Sequence, residues 1–488
     1  MELSMSPAGD TVYPTHMIDN VSVVKSLVMA WTMRYNDVVD ADKLHRALLE
    51  LLEIGDWKKL GGRLKVGNNR RRALEIHVPS SFSKETPAVS FSHVSYDIRI
   101  EEHEIAKLLP KASDHPSIHP ALNHELAISP DTPKSLKDFT SRDVPMLSLH
   151  VVSFQDATLV TISWPHVLFD AVGFSHLVEA WSSVLAGYRE RVPTLIGARQ
   201  DVLYDIGDLS HAKPQFKASE ARILAGVALL FFIVRFIWTI LTQPIVESRV
   251  ICIPKDMAER LHQRALADIE GLKDNEEDRW VSPSDAILAW LSRTIFESTA
   301  RPISMTTPID ARSRLTYLQD AKGVYVQNMI LGSFVSLSPG VLGGSLGKQA
   351  LTSRQGLLHQ LDEPNLVGIL QLFRKRWNSG KSRAPIFAAP GSVLLTTNSR
   401  LKVDIFTKAD FSPAVLEMGE NEARTNPLGT PVYHYAATIN PSRAFRNFVT
   451  VHTKDPHGNY WLTAFLTPRQ WLAIERDFDM ARASTSRI

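Results

Sequence analysis

The sequence predicts an α+β protein built from mixed sheets and helices. Strand and helix patterns alternate along the chain without the regular spacing that a doubly wound sheet requires. The chain has 488 residues, enough for two to four domains at roughly 150 residues each. Its composition, with 44% hydrophobic and 22% charged residues, is that of a globular protein, which excludes disordered, collagen-like and coiled-coil classes.

The N-terminal half contains a helix and, further on, a hairpin followed by a second helix. Leucine and alanine residues recur at helical spacing over residues 42–53 and predict an amphipathic helix. Residues 147–153 and 158–164 predict the two strands of a β-hairpin, because a turn sequence separates two apolar or β-branched segments. Apolar residues at helical spacing over residues 174–185 predict the helix that follows.

The C-terminal half begins with a well-marked helix. Ser282 is a good N-cap, and Asp285, three residues later, completes a capping box. Segments 448–453 and 460–466 predict a further pair of strands, and Pro468 marks the start of a C-terminal helix.

Residues 223–241 form a nearly continuous apolar segment, interrupted by Arg235 and Thr239. As a helix with a rise of 1.5 Å per residue, the segment would be about 28 Å long, close to the hydrocarbon thickness of a bilayer. Two interpretations stay open: a helix packed against the protein, or a helix lying in a membrane interface. The absence of a charged face favours packing against the protein.

Charge and cysteine content limit the partners and the compartment. The chain has 54 Lys and Arg against 52 Asp and Glu, so its near-neutral net charge gives no reason to expect nucleic-acid binding. Cys252, the single cysteine, can form neither an internal disulfide nor a cysteine-based zinc site, which favours a reducing compartment. The first twenty residues contain no signal-peptide pattern, so we expect a cytoplasmic protein.

Three histidines, His115, His119 and His124, are close in sequence but do not predict a metal site. Pro116 and Pro120 interrupt any helix that would align the three rings. No cysteine lies near enough to complete a familiar ligand pattern, so we predict that no metal is bound.

The segment Trp164 to Asp170 carries the strongest chemical signal. It places His166 and Asp170 four residues apart in the loop between a predicted strand and a predicted helix, a position where catalytic groups are common. Imidazole is suited to proton transfer near neutral pH, and a carboxylate can hold its geometry. Taken alone, H-x-x-x-D is a weak pattern.

The whole chain resembles the BAHD-type acyl-CoA-dependent acyltransferases, especially their fungal secondary-metabolism branch. The resemblance rests on segments that occur in the family's order. They are the N-terminal helix ending in Gly61-Gly62-Arg63-Leu64, the segment His166 to Asp170, the helix Val281 to Trp290, Asp310-Ala311-Arg312-Ser313-Arg314, Tyr325-Val326-Gln327-Asn328 and Asp410-Phe411. This resemblance implies a chloramphenicol-acetyltransferase-like fold, in which two mixed-sheet lobes enclose an active-site channel.

The resemblance also implies roles for the residues that match the motifs. His166 would be the general base that takes a proton from the acceptor as it attacks the thioester of acyl-CoA. Asp170 would point away from the substrate and pair with Arg312 of the D-x-R-S-R segment. A bidentate pair of this kind would fix the loop and thereby aim the imidazole.

Four further residues receive roles at the edge of the site. The resemblance implies that Asp410 is structural for the active-site wall. Thr397, Asn398 and Ser399 are candidates for contacts with the substrate or with the oxyanion of the intermediate.

The sequence departs from the family in three places. The glycine that usually follows the motif Asp comes only at Gly173. Gln327 occupies the glycine position of Y-x-G-N, and residues 412–414 replace the rest of D-F-G-W-G after Asp410 and Phe411. These changes affect the second lobe and leave the base in place.

Together, these features predict an acyl-CoA-dependent O-acyltransferase. The resemblance implies transfer of an acetyl group from acetyl-CoA to a hydroxyl of a fungal terpenoid or polyketide, with no other cofactor. It implies lobes at residues 1–215 and 251–488, joined by the apolar segment and crossover linker at 216–250. We expect a monomer. Contact with a membrane through residues 223–241 stays an open alternative to packing of this segment against the protein. The rival function is that of a catalytically inactive binding protein with the same fold.

Overall fold

A computed structural model of the chain describes residues 4–5, 9–68, 72–121, 124–208, 223–270, 279–419, 424–442 and 444–485. The strands are β1 (Ser4–Met5), β2 (Thr11–Pro14), β3 (Val28–Tyr35), β4 (Asp37–Val39), β5 (Arg63–Val66), β6 (Leu74–Val78), β7 (Val89–Ser95), β8 (Ser117–Pro120), β9 (Leu147–Ser153), β10 (Thr158–Pro165), β11 (Glu247–Ile253), β12 (Ile303–Asp310), β13 (Ile330–Leu337), β14 (Val393–Ser399), β15 (Val415–Met418), β16 (Pro431–Thr438), β17 (Phe448–Lys454) and β18 (Tyr460–Leu466). The helices are α1 (Ser22–Ser26), α2 (Ala41–Leu51), α3 (His124–Ala127), α4 (Leu136–Ser141), α5 (Ala171–Leu185), α6 (Val202–Ile206), α7 (Gly226–Thr242), α8 (Lys255–Glu270), α9 (Pro283–Ile295), α10 (Thr316–Gln319), α11 (Pro339–Leu342), α12 (Leu346–Leu358), α13 (Glu363–Asn378), α14 (Ile405–Lys408) and α15 (Pro468–Thr485).

The sheet that we call the N-terminal sheet has the strand order β16-β3-β10-β9-β7. Every residue of β10 is buried, as its apolar and β-branched sequence leads one to expect. Helices α2 and α5 contact each other and contribute to the same hydrophobic core as the strands. The predicted hairpin is confirmed, since β9 pairs antiparallel with β10, and so is the helix that follows it.

The sheet that we call the large sheet has the order β13-β12-β14-β17-β18-β11-β8. Helices α8, α9, α12 and α15 bury one face of it. The capping box of Ser282 and Asp285 at the start of α9 is confirmed. Along β14, Leu395 joins this core, while Leu394 and Thr396 lie on the opposite face because strand residues alternate between the two faces.

Strands cross between the two halves of the chain. β16 comes from the C-terminal half but pairs with β3 of the N-terminal sheet. β8 comes from the N-terminal half but pairs with β11 of the large sheet. Each sheet therefore contains a strand from the other half, and the division at residues 1–215, 216–250 and 251–488 stays a prediction.

Helix α7 covers most of the apolar segment predicted at residues 223–241. Its inward face packs against the protein, with Phe232 buried and Leu229 and Phe236 half-buried. Its outward face is exposed, with Val227 at 83% and Trp238 at 66%. The predicted packing of this segment against the protein is therefore observed for one face of α7 only. A single helix on the surface can bury only one of its sides. None of the described helices combines the length and the apolarity needed to cross a bilayer.

Candidate active site

His166 follows directly after β10, the strand at the centre of the N-terminal sheet. Its N–H donates to the Leu27 carbonyl at 2.9 Å, and its carbonyl accepts from Asn328 Nδ2 at 2.8 Å. The imidazole is partly exposed, but its Nδ1 is buried without a hydrogen-bond partner among the described residues. The main chain is therefore anchored on both sides, and Nδ1 is the ring nitrogen enclosed by the protein.

The surroundings of His166 favour the neutral imidazole that a general base requires. Burial lowers the pKa of His166 below its ordinary value. An interaction of the ring with the main chain of His166 itself, the charge of Asp170 and the side chain of Asn328 raise this pKa, whereas the charge of Arg400 lowers it further. Burial prevails, so the ring is neutral at physiological pH.

Asp170 and Arg312 form a bidentate ion pair. Nη1 of Arg312 donates to Oδ2 of Asp170 at 3.1 Å, and Nη2 donates to Oδ1 at 3.0 Å. The same carboxylate accepts from the Gly173 N–H at 2.9 Å, where it caps α5, and from the Met329 N–H at 3.0 Å. The carboxylate thus ties the loop that carries His166 to the C-terminal half of the chain.

Arg312 also holds the segment before Asn328. Its Nε donates to the Tyr325 carbonyl at 2.9 Å, and Nη2 donates to the Gln327 carbonyl at 2.6 Å. Nη1 donates to Asp310 at 2.8 Å. Burial alone would lower the pKa of Arg312, but the carboxylates of Asp170 and Asp310 raise it.

Gly173 explains one departure from the family pattern. A Cβ added to Gly173 would lie 2.0 Å from the Val326 carbonyl oxygen, so the first turn of α5 touches the main chain of the opposite segment. The close approach occurs at residue 173, which is why a glycine is needed there and alanine is accepted at position 171. Gln327, at the other lost glycine, is buried, and both polar atoms of its side chain lack partners among the described residues.

Asp19 is a site residue that no sequence pattern marks, and Asn328 belongs to the segment similar to Y-x-G-N, for which the sequence implied no role. Asn328 Nδ2 donates to Asp19 Oδ1 at 2.8 Å as well as to the His166 carbonyl. Asp19 is buried, accepts from the His16 N–H at 2.8 Å, and has a pKa that burial raises to about 7. Asp19 and Asn328 are 309 residues apart, so no local pattern reveals the contact.

Arg400 is a second residue that the analysis missed, although it directly follows the three residues proposed for the oxyanion. Its guanidinium carbon lies 5.3 Å from the centre of the Trp31 ring, and its Nη1 lies 3.5 Å from His452 Nδ1. Its Nε is buried and unbonded, and it forms no ion pair with a described carboxylate. Burial lowers the pKa of Arg400 to about 10, which leaves it cationic at neutral pH.

The three oxyanion candidates lie on β14, and their side chains lie on different faces of the strand. Thr397 is buried and its hydroxyl lies 2.8 Å from that of Thr307. Alternation places Thr397 and Ser399 on the same side of the strand as the helix-covered core residue Leu395, and Ser399 is exposed. Asn398 lies on the opposite face, and contact of any of the three with a substrate or oxyanion stays a prediction.

Relatives named as acetyltransferases match nearly the full chain, although no family model matches it. Acetyltransferase pyiB of Pyricularia grisea is 34% identical over 474 residues, covering 96% of this chain and 93% of the relative. The chain belongs to the BAHD-type fungal acetyltransferases. A second member, O-acetyltransferase PaAT-2 of Phomopsis amygdali, is 33% identical over 484 residues, covering 96% of this chain and 97% of its own.

Solved structures show the same fold as this acetyltransferase. The crystal structure of F. graminearum TRI101 complexed with coenzyme A and T-2 mycotoxin matches with a TM-score of 0.69 at 14% identity, covering 96% of this chain and 98% of that chain. Vinorine synthase matches with a TM-score of 0.53 at 12% identity, covering 96% and 93%. The predicted α+β fold of the chloramphenicol-acetyltransferase type is confirmed.

The remnant of D-F-G-W-G in this acetyltransferase serves packing. Phe411 is buried, with its ring 5.3 Å from Tyr35 and 4.6 Å from Trp181. Asp410 is exposed, accepts from the Ser412 N–H at 2.9 Å, and bonds with neither His166 nor Arg312 within the described part of the chain. Asp410 therefore shapes a local turn, and its role in the active-site wall stays a prediction.

Of the three histidines for which no metal was predicted, the structure describes the side chains of His115 and His119. Within the described ranges, no three side chains of the ligating types come together. His115 is exposed, and the His119 ring lies 2.8 Å from the Ser117 hydroxyl.

Proposed function

We propose that this chain transfers an acetyl group from acetyl-CoA to a hydroxyl of a fungal secondary metabolite, such as a terpenoid or polyketide, with His166 as the general base. The observation that carries the proposal is the anchored His166 loop. Asn328 holds the main-chain carbonyl of His166, and the pair of Asp170 and Arg312 holds the end of the same loop, so the neutral imidazole is positioned at the junction of the two halves.

The residues support direct attack in a complex of both substrates. His166 Nε2 takes the hydroxyl proton as the acceptor oxygen attacks the acetyl carbonyl carbon. The C–S bond then breaks, and the leaving CoA sulfur takes the proton from the imidazolium. On the face of β14 opposite Leu395, the amide of Asn398 is suited to stabilise the negative charge that develops on the carbonyl oxygen. The cationic Arg400, which follows β14, is suited to the same role.

The relatives support the class of both substrates. The solved structure of TRI101 is a complex with coenzyme A and T-2 mycotoxin. PaAT-2 is named as an O-acetyltransferase. Acetyl-CoA as donor and a hydroxyl as acceptor are consistent with both.

The organisation of the protein is part of the same proposal. The lobes at 1–215 and 251–488, joined by 216–250, would enclose the channel, and the chain would act as a cytoplasmic monomer. For residues 223–241, the exposed outward face of α7 supports contact with a membrane surface.

Release of CoA thiol tests this function. Purified protein is incubated with acetyl-CoA and a panel of hydroxylated terpenoids and polyketides, each paired with its methyl ether. We expect thiol release and a product heavier by one acetyl group only with the free hydroxyl. Equal release with alcohol and ether would mean hydrolysis of acetyl-CoA and would refute acetyl transfer.

A further inference from the structure

A cavity of about 570 Å³ lies between α7 and the open face of the large sheet. Phe232, Phe236 and Thr239 of α7 line one side, and Leu394 and Thr396 of β14 line the other. His166 is not among the lining residues, so this cavity is not the catalytic site described above.

The cavity has an excess of positive charge. Arg235, Arg301, Arg446 and Arg469 line it, and Glu297 is the one acid among its described lining residues. Glu297 is ion-paired with an arginine outside the cavity. Burial and then repulsion from Arg235 lower the pKa of Arg301, as expected for like charges without a counterion.

The hydrogen bonds described for Arg301 and Arg469 go to uncharged acceptors, which do not neutralise the two guanidinium groups. Arg301 donates to two main-chain carbonyls at 2.8 Å, and Arg446 donates to two carbonyls of the last turn of α7 at 3.2 and 3.1 Å. Arg469 donates to the Ser298 hydroxyl at 3.2 Å. The carbonyl of Arg235 accepts from the Thr239 hydroxyl at 3.0 Å, whereas its guanidinium, 5.9 Å from the centre of the Phe231 ring, forms no hydrogen bond or ion pair with a described side chain or carbonyl. The cavity therefore has the chemistry of an anion site.

The outward face of α7 is apolar along its whole length. Its exposed side chains recur at helical spacing and are Val227, Leu230, Phe231, Ile233, Val234, Ile237, Trp238 and Leu241. A helix with such a continuous apolar face is a site of membrane or protein contact rather than ordinary surface.

We infer that α7 and the arginine cavity form one docking site for a membrane that contains anionic phospholipid. The apolar face enters the acyl-chain boundary, and the cavity takes the phosphate of a headgroup. The helix is about 10 Å wide, and an interfacial helix sinks about 5–10 Å, so the inner face of α7 lies at the headgroup level. This inference rests on the membrane contact proposed above but not on acetyl transfer.

The positive charge of the cavity favours an anionic membrane over other partners for α7. A lipid surface offers acyl chains to α7 and phosphates to the arginines beside it, which matches both features at once. A second copy of the chain would cover the apolar face but would bring no anion to Arg235 and Arg301 in the cavity. A free anion would fill the cavity and leave the apolar face exposed.

Vesicle sedimentation tests the inference with the full chain. Neutral phosphatidylcholine vesicles are compared with vesicles that also contain phosphatidylserine, and thiol release is measured separately. The double variant Leu230→Ser with Trp238→Ser removes side chains that are 62% and 66% exposed. The matched control, Leu416→Ser with Met418→Ser, removes side chains that are 67% and 63% exposed on β15.

We expect wild-type protein to bind the anionic vesicles and the α7 double variant to bind at least about tenfold more weakly, with the control unchanged. Arg235→Gln should weaken binding to anionic vesicles about fivefold, and Arg235→Lys should retain it. Equal thermal midpoints would show that the variants fold.

Three results would overturn the inference. Equal binding to neutral and anionic vesicles would keep α7 as a membrane contact but reject the headgroup site. Binding of inorganic phosphate without binding to vesicles would make the cavity a free-anion site. A dimer in solution that Leu230→Ser dissociates, without vesicle binding, would assign the apolar face to a second copy.

Discussion

Replacement of Arg312 by alanine would show how much the contact between the two halves of the chain contributes to stability and to the position of the His166 loop. The guanidinium is 10% exposed and its partner Asp170 is 1% exposed, so the pair is screened little by water. The replacement removes the bidentate pair, the contact with Asp310 and two bonds to main-chain carbonyls. Removing one member of a buried pair costs about 3–5 kcal/mol, because the remaining charge stays buried.

Urea unfolding and thiol-release kinetics measure the two consequences. We expect Arg312→Ala to lower the free energy of unfolding by about 3–5 kcal/mol and kcat by about 10²-fold, because the His166 loop loses its position. Arg189, whose ion pair with Glu50 is 57% and 49% exposed, is the matched control. Arg189→Ala should cost less than about 1 kcal/mol. Equal small losses in both variants would refute the idea that the buried pair holds the site together.

Three further predictions concern the surroundings of His166. Because burial lowers its pKa and the base must be neutral, kcat/KM should stay level from pH 8 down to about 6.5 and fall only below that; a decline that begins above pH 7 would contradict this. Arg400→Gln removes a charge that lowers this pKa, so the acidic limb should move to higher pH, whereas superimposable profiles would refute the link. Asn328→Ala removes the bonds to the His166 carbonyl and to Asp19 and should lower kcat about tenfold with little change in KM for acetyl-CoA; unchanged kcat would mean that Asn328 does not position the base.

Local patterns were sufficient for the elements that carry the motif. β9, β10 and α5 were predictable because burial in a central strand and packing of one helix face leave periodic signals in the sequence. The contact between Asp170 and Arg312 spans 142 residues and came from the family resemblance rather than from periodicity.

Other parts of the site depend on tertiary contacts that leave no local signal. Asp19 and Asn328 meet across the junction; Asp19 stands in no pattern, and Asn328 stands in the segment similar to Y-x-G-N, which does not reveal its contacts with Asp19 and His166. Arg400 looks like a surface residue in sequence, yet its guanidinium lies over Trp31. The hydropathy of residues 223–241 could not tell which face of α7 would be covered, since both faces are apolar.

The direct test of the account is the turnover of a His166→Ala variant, measured as CoA-thiol release beside His176→Ala. His176 lies on α5 and is partly exposed, so its replacement controls for the loss of a histidine near the site. We predict that kcat falls about 10²- to 10⁴-fold in His166→Ala and stays within about twofold of wild type in His176→Ala. A folded His166→Ala protein that retains wild-type kcat would contradict the assignment of His166 as the general base.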